Sequence, residues 1–116
     1  MSAVWNMTIV QGDNYELRIR LRSSDGTYVD LSGATVHSQI RHRPNGVLMA
    51  EFTTVLMDQG TTDGLGCVSL QLTAEQTASL RSNGVYDVQI SWPSGTIQTC
   101  LAGQMLTKQD VTRVGS

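Results

Sequence analysis

The segment Leu17-Arg18-Ile19-Arg20-Leu21-Arg22 constrains the fold more than any other part of this chain. Every second side chain is aliphatic, so a period of two places Leu17, Ile19 and Leu21 on one face and three arginines on the other. Such a strand has one dry face and one wet face, and the dry face requires a second layer to cover it. The alternation returns in residues 34–41, 68–72 and 86–90, with clusters of Gly, Asn, Asp, Ser or Pro between the runs. The pattern predicts an all-β chain, an antiparallel β-sandwich of about seven strands.

Turn chemistry sets the expected boundaries. Strands are predicted at residues 4–10, 15–22, 34–43, 47–57, 66–72, 85–92 and 96–108, with a short extended piece at 28–31. Asp25-Gly26 and Asn45-Gly46 supply the positive-φ positions of tight hairpins, and Pro44 ends the third strand by withdrawing a ladder donor. The glycine- and acid-rich stretch at 58–64 is expected to be the most mobile interior loop. One segment breaks the β rhythm. Thr73 followed three residues later by Gln76 forms a capping-box pattern, which predicts one or two helical turns over residues 73–80. The expected organisation is a sandwich domain at 1–108 and a C-terminal tail at 109–116. The inward set is predicted as Ile9, Leu17, Ile19, Leu21, Val36, Ile40, Val68, Leu70, Leu72, Tyr86, Val88 and Ile90, with Trp5 and Trp92 packed in the core.

A chain of 116 residues fits one domain with an ordinary core, and 40% hydrophobic with 16% charged residues argues against disorder. The net charge of −2 provides no global field toward nucleic acid or anionic lipid, so neither a nucleic-acid nor a membrane partner is expected. The start has no basic and apolar leader pattern, and no apolar run approaches a membrane span, which points to synthesis and folding in a cytosol. Cys67 and Cys100 make no disulfide framework and lack metal-ligand spacing. Cys67 falls on the outward face of its strand, so two reduced thiols are expected, with a bond between subunits as the alternative.

Candidate chemistry is sparse. Arg18, Arg20, Arg22, Arg41 and Arg43 are five of the eight basic residues, and alternation aims each strand's set at solvent. They mark a candidate anionic contact surface, or else solvated strand faces paired with Glu16, Glu51 and Asp87. The strands at 15–22 and 34–43 ordinarily belong to different sheets of a sandwich, which would keep the two sets apart. His37 and His42 are oddly spaced and cannot share a metal from a regular strand, so no metal site or other cofactor is expected. No serine has a nucleophile-elbow pattern and no glycine run opens a helix as a phosphate loop does, so no enzymatic activity is expected. Asp110-Val111-Thr112-Arg113-Val114 extends beyond the last strand as a segment that could pair with or cross a neighbour, and Val111 and Val114 join the arginines as candidate interface residues.

Gly84-Val85-Tyr86-Asp87-Val88, after a short helical connection, resembles the tyrosine corner of immunoglobulin-like domains, in which the phenol bonds a nearby upstream backbone group; Val88 stands where antibody domains have a cysteine. A narrower likeness spans nearly the whole chain. Trp5-Asn6-Met7-Thr8-Ile9-Val10-Gln11-Gly12-Asp13, then Asp30-Leu31-Ser32-Gly33-Ala34-Thr35-Val36, Gln39-Ile40-Arg41, Leu72-Thr73-Ala74-Glu75-Gln76-Thr77 and the Gly84 run together resemble small β-sandwich proteins encoded among the structural genes of tailed bacteriophages. That group is similar to the N-terminal sandwich domains of baseplate and tail-fibre proteins. The resemblance implies an immunoglobulin-like sandwich that serves as a non-enzymatic virion component, in the tail, baseplate or fibre attachment. It would be made in the bacterial host cytoplasm, present in many copies or as a homo-oligomer, and bound to other virion proteins. A capsid decoration protein and a carbohydrate- or receptor-binding module are the alternatives. The shared pattern is a folding pattern and assigns no catalytic or cofactor residue.

Overall fold

The computed structural model describes residues 3–109 as two packed β-sheets with one short helix. The strands are β1 (Ala3–Val4), β2 (Met7–Val10), β3 (Tyr15–Arg20), β4 (Thr35–Arg41), β5 (Leu48–Glu51), β6 (Thr53–Leu56), β7 (Cys67–Leu72), β8 (Gly84–Ser91) and β9 (Ile97–Lys108), and α1 spans Ala74–Ala78. The larger sheet runs β1-β9-β8-β4-β5, with β2 also on β9, and the smaller runs β3-β7-β6. Nine strands replace the expected seven because two predicted runs are each broken in two. The run at 4–10 is interrupted at Trp5 and Asn6, and the run at 47–57 crosses from one sheet to the other at the buried Phe52.

The sandwich is not wholly antiparallel, a correction to the sequence-based expectation. Both N-terminal strands lie parallel to β9, with Ala3 opposite Leu101 and Met7 opposite Met105. The break between them follows from Gly103, where a Cβ would stand 2.1 Å from the Trp5 carbonyl oxygen. With no side chain there, the backbone dips inward, and the Tyr86 hydroxyl donates to that oxygen at 2.5 Å. The acceptor lies 81 residues upstream, so the local tyrosine corner anticipated from Gly84-Val85-Tyr86 is replaced by a tie from β8 to the N-terminal strand. Asn6 fills the rest of the gap, its side-chain oxygen accepting from the Gln104 amide at 2.9 Å.

The inner faces follow the period-two reading. Ile9, Val36, Ile40, Val68, Leu70, Leu72, Tyr86, Val88 and Ile90 are all buried, joined by Met7, Leu31, Leu80 and Met105. Leu17, Ile19 and Leu21 point inward but are only half-buried, because β3 is the edge of a three-stranded sheet and among the described residues has no neighbour on one side. The helix forms as its cap predicts: Thr73 accepts from the Gln76 amide while the Gln76 side chain accepts from the Thr73 amide. Buried Thr77 docks it, its hydroxyl donating toward the Asp13 carbonyl at 2.8 Å and accepting from the Gly12 amide at 3.0 Å. The stretch at 58–64 carries a cluster of hydrogen bonds centred on one side chain. The Gln59 side chain accepts from the Leu31 and Gly66 amides and donates to the carbonyls of Met57 and Gly64.

Candidate protein-interaction surface

The five arginines divide between the two sheets. Arg18, Arg20 and Arg22 lie exposed along the outer side of β3 and its extension, while Arg41 lies on the outer face of the large sheet and Arg43 in the turn that follows β4. Antiparallel register accounts for the first set: Arg18 lies opposite Ser69 and Arg20 opposite Cys67, both outward-facing positions of β7. The chain then continues through Leu21 to a hairpin in which Arg22 bridges Tyr28, Gly26 adopts φ 90° and the Ser23 amide bonds the Thr27 carbonyl.

These arginines are not equally available. Arg18 pairs with Glu16 at 3.4 Å on the solvated face. Glu16 also accepts from the Ser69 hydroxyl at 2.6 Å, and chiefly that bond, then the charge of Arg18, holds its carboxyl below the usual range. Arg20 is committed to the fold, since its guanidinium bonds the carbonyls of Leu65 and Thr62 and lies 3.5 Å from the centre of the Tyr28 ring. Arg22 donates to the Tyr28 hydroxyl at 2.8 Å and stands 4.8 Å from the same ring. The result is a guanidinium–phenol–guanidinium cluster fixed by stacking and hydrogen bonds. At the hairpin tip, Asp25 accepts from Ser23 and Thr27, which lowers its pKa to about 2.

Beside this row the sandwich is open. A cleft of about 310 Å³ separates Leu21 and Val29 from Ile90, Trp92 and Cys100, with Gln98 at its rim. Trp92 is half-buried against the core there. Burial pushes the Cys100 thiol up, and its sulfur faces the Val88 carbonyl at 3.5 Å. Cys67 is free as well and lies on the outward side of the other sheet, so the two thiols do not meet.

The outer face of the large sheet forms a second, more polar concavity of about 600 Å³ around His37, Gln39, Arg41, Asp87 and Gln89. Arg41 is held there by the Gly46 carbonyl and the Gln39 side chain, both at 2.9 Å, and Gln39 in turn bonds Glu51. His42 lies just beyond β4, where its Nδ1 is 3.4 Å from the Ser82 hydroxyl, while His37 lies within β4 on the outer face. Among the described residues no group of three or more His, Cys, Asp or Glu side chains is placed to hold a metal.

Large apolar side chains left in water line the ends and edges of the sheets: Val4 at 80% exposure, Val47 at 76% and Ile97 at 65%. Trp5, expected in the core, is 46% exposed, because only its carbonyl turns inward where the N-terminal strand is broken. The candidate residues Val111 and Val114 lie outside the described residues. No protein-family model matches the sequence, and no curated protein matches it.

Proposed function

We propose that the chain is a non-enzymatic structural component of a tailed-phage virion, an immunoglobulin-like module of the tail, baseplate or fibre attachment that works by protein–protein assembly. The observation that carries the assembly reading is the placement of exposed apolar side chains. Val4, Trp5, Val47 and Ile97 stand on sheet edges and strand ends, where a neighbouring protein can cover them. The phage setting rests on the resemblance of the Trp5, Asp30, Leu72 and Gly84 segments described above.

The immunoglobulin-like assignment is supported by strand order. The run β9-β8-β4-β5 corresponds to the G, F, C and C′ strands of a variable-type domain, and β3-β7-β6 to B, E and D. The first strand departs from the constant-type order by lying along the G-side edge and not beside B. In this reading the partners are other virion proteins, and the protein is present in many copies in the particle. Mass spectrometry of purified virions tests the proposal, followed by location of the sandwich in a cryo-electron-microscopy map. Absence of the chain from purified particles rejects it.

A further inference from the structure

The three-stranded sheet is too narrow for the sheet it covers, and the shortfall falls beside β3. Leu17, Ile19 and Leu21 are half-buried there, while Val68, Leu70 and Leu72 on the central β7 are sealed. Next to Leu21 the gap opens into the cleft floored by Ile90, Trp92 and Cys100. Among the described residues β3 pairs only with β7, which leaves its other backbone edge without a neighbour there. Among the described residues it is an unbroken edge of six residues, against four each for the edge strands β5 and β6. The N-terminal edge is interrupted at Trp5, and the pairing of β5 with β4 shifts register between Ile40 and Arg41.

We propose that the free edge of β3 receives an added strand from a partner protein, an extended segment in which aliphatic side chains alternate with Asp or Glu. The period of two requires both halves of that description. Inward side chains of an added strand would complete the cover over Leu17, Ile19 and Leu21 and reach the cleft. Outward ones would lie beside Arg18, Arg20 and Arg22, of which only Arg18 has a carboxylate partner among the described residues. A second copy of β3 would bring its own Glu16 to the same face beside these arginines, so the homotypic pairing is the competing occupant that the test below separates. The proposal rests on the assembly reading above and specifies one surface for it.

The test uses the full chain with Trp5→Phe, so that Trp92 alone reports on the cleft. Two N-acetylated eight-residue peptides serve as probes, one alternating Val with Glu and the other Val with Lys. The Glu peptide is expected to shift Trp92 emission to the blue and to protect amides of β3 from hydrogen exchange, with the Lys peptide at least about tenfold weaker. Arg18→Glu with Arg22→Glu should invert that preference; Arg20 is left in place because it holds the 62–65 loop. If the double variant folds poorly, Arg22→Gln and a salt titration of the unaltered arginines replace it, and added salt should shrink the discrimination. The proposal is overturned by no β3 protection at millimolar peptide, by equal binding of both peptides, by protection on β5 or β6 in place of β3, or by self-association of the free chain through β3. Failure here with the chain present in virions rejects this edge alone, whereas absence from virions rejects the assembly reading beneath it.

Discussion

Replacing Gln59 by Leu removes a hydrogen-bonding hub while keeping most of the side-chain volume. Its Oε1 accepts from the Leu31 amide at 3.0 Å and the Gly66 amide at 2.9 Å. Its Nε2 donates to the Met57 carbonyl at 2.8 Å and the Gly64 carbonyl at 3.1 Å, with the Cys67 carbonyl at 3.3 Å. One amide thereby ties the chain after β6, the start of β7 and the segment leading to β4. Each net hydrogen bond contributes roughly 1 kcal/mol, and a buried donor left without a partner costs about 1–3 kcal/mol. Leu31 is fully buried, but the loop itself is partly exposed, so water can replace some of the lost partners. The expected loss is therefore about 2–4 kcal/mol, a large share of a typical total of roughly 5–15 kcal/mol. In urea, with a slope of roughly 1–3 kcal/mol/M, that moves the midpoint down by about 1–2 M. Hydrogen exchange should show the Leu31 and Gly66 amides losing protection first. A loss under about 0.5 kcal/mol with unchanged exchange at Leu31 would refute the assignment of this loop as a bonded clamp.

Tyr86→Phe should cost about 1 kcal/mol in a urea melt, because the Trp5 carbonyl then faces the core without its donor. Burial pushes the Tyr86 phenol up to about 12, above its ordinary value near 10, so its contribution is complete below pH 10 and is lost as pH rises through about 12; phenolate ultraviolet absorbance follows that titration. Gly103→Ala forces a methyl to within 2.1 Å of the Trp5 oxygen and should cost about 1–3 kcal/mol, with amide protection lost first at Trp5 and Gln104; an unchanged melt would contradict the close approach. Val88→Ala should cost about 2–3 kcal/mol and Ile19→Ala no more than about 1–2 kcal/mol, although Ile loses more atoms, since Val88 is sealed and Ile19 half-exposed; the reverse order in urea melts would overturn the burial assignment.

Alternation in the sequence was a good guide to which side chains point inward, because the strand period is fixed by backbone geometry. It carried no information on how many neighbours a strand has. Ile19 and Val88 read identically in sequence, yet one lies on an edge strand and the other between β4 and β9. The sheet switch at Phe52 was hidden for the same reason, since an apolar residue in a β run is compatible with either sheet. The capping box at Thr73 and Gln76 was legible because its signal is local. The parallel N-terminal strand, the Gly103 gap and the five-way clamp at Gln59 depend on contacts between distant residues, and the composition of 58–64 carries no sign of that clamp. Among the interface candidates, the sequence named the β3 arginines but could not reveal that Arg20 is already engaged by the carbonyls of Thr62 and Leu65.

The arginine row on β3 has two consequences that act together. A free edge strand invites pairing with any exposed strand, including another copy of itself, and charge on the edge is a common protection. Here the protection is selective. Three cations at alternate positions oppose a basic strand, yet they attract a strand whose outward positions are acidic. The stacking of Tyr28 between Arg20 and Arg22 fixes two of those charges in place, which limits the ordering cost when a partner arrives. Beneath them the half-covered Leu17, Ile19 and Leu21 supply apolar area whose burial would reward docking in the correct register. A one-residue slip would turn an added strand's acids toward the cleft and its aliphatic side chains toward the arginines. The same alternation that specifies the fold thus sets the register that the proposed added strand would adopt.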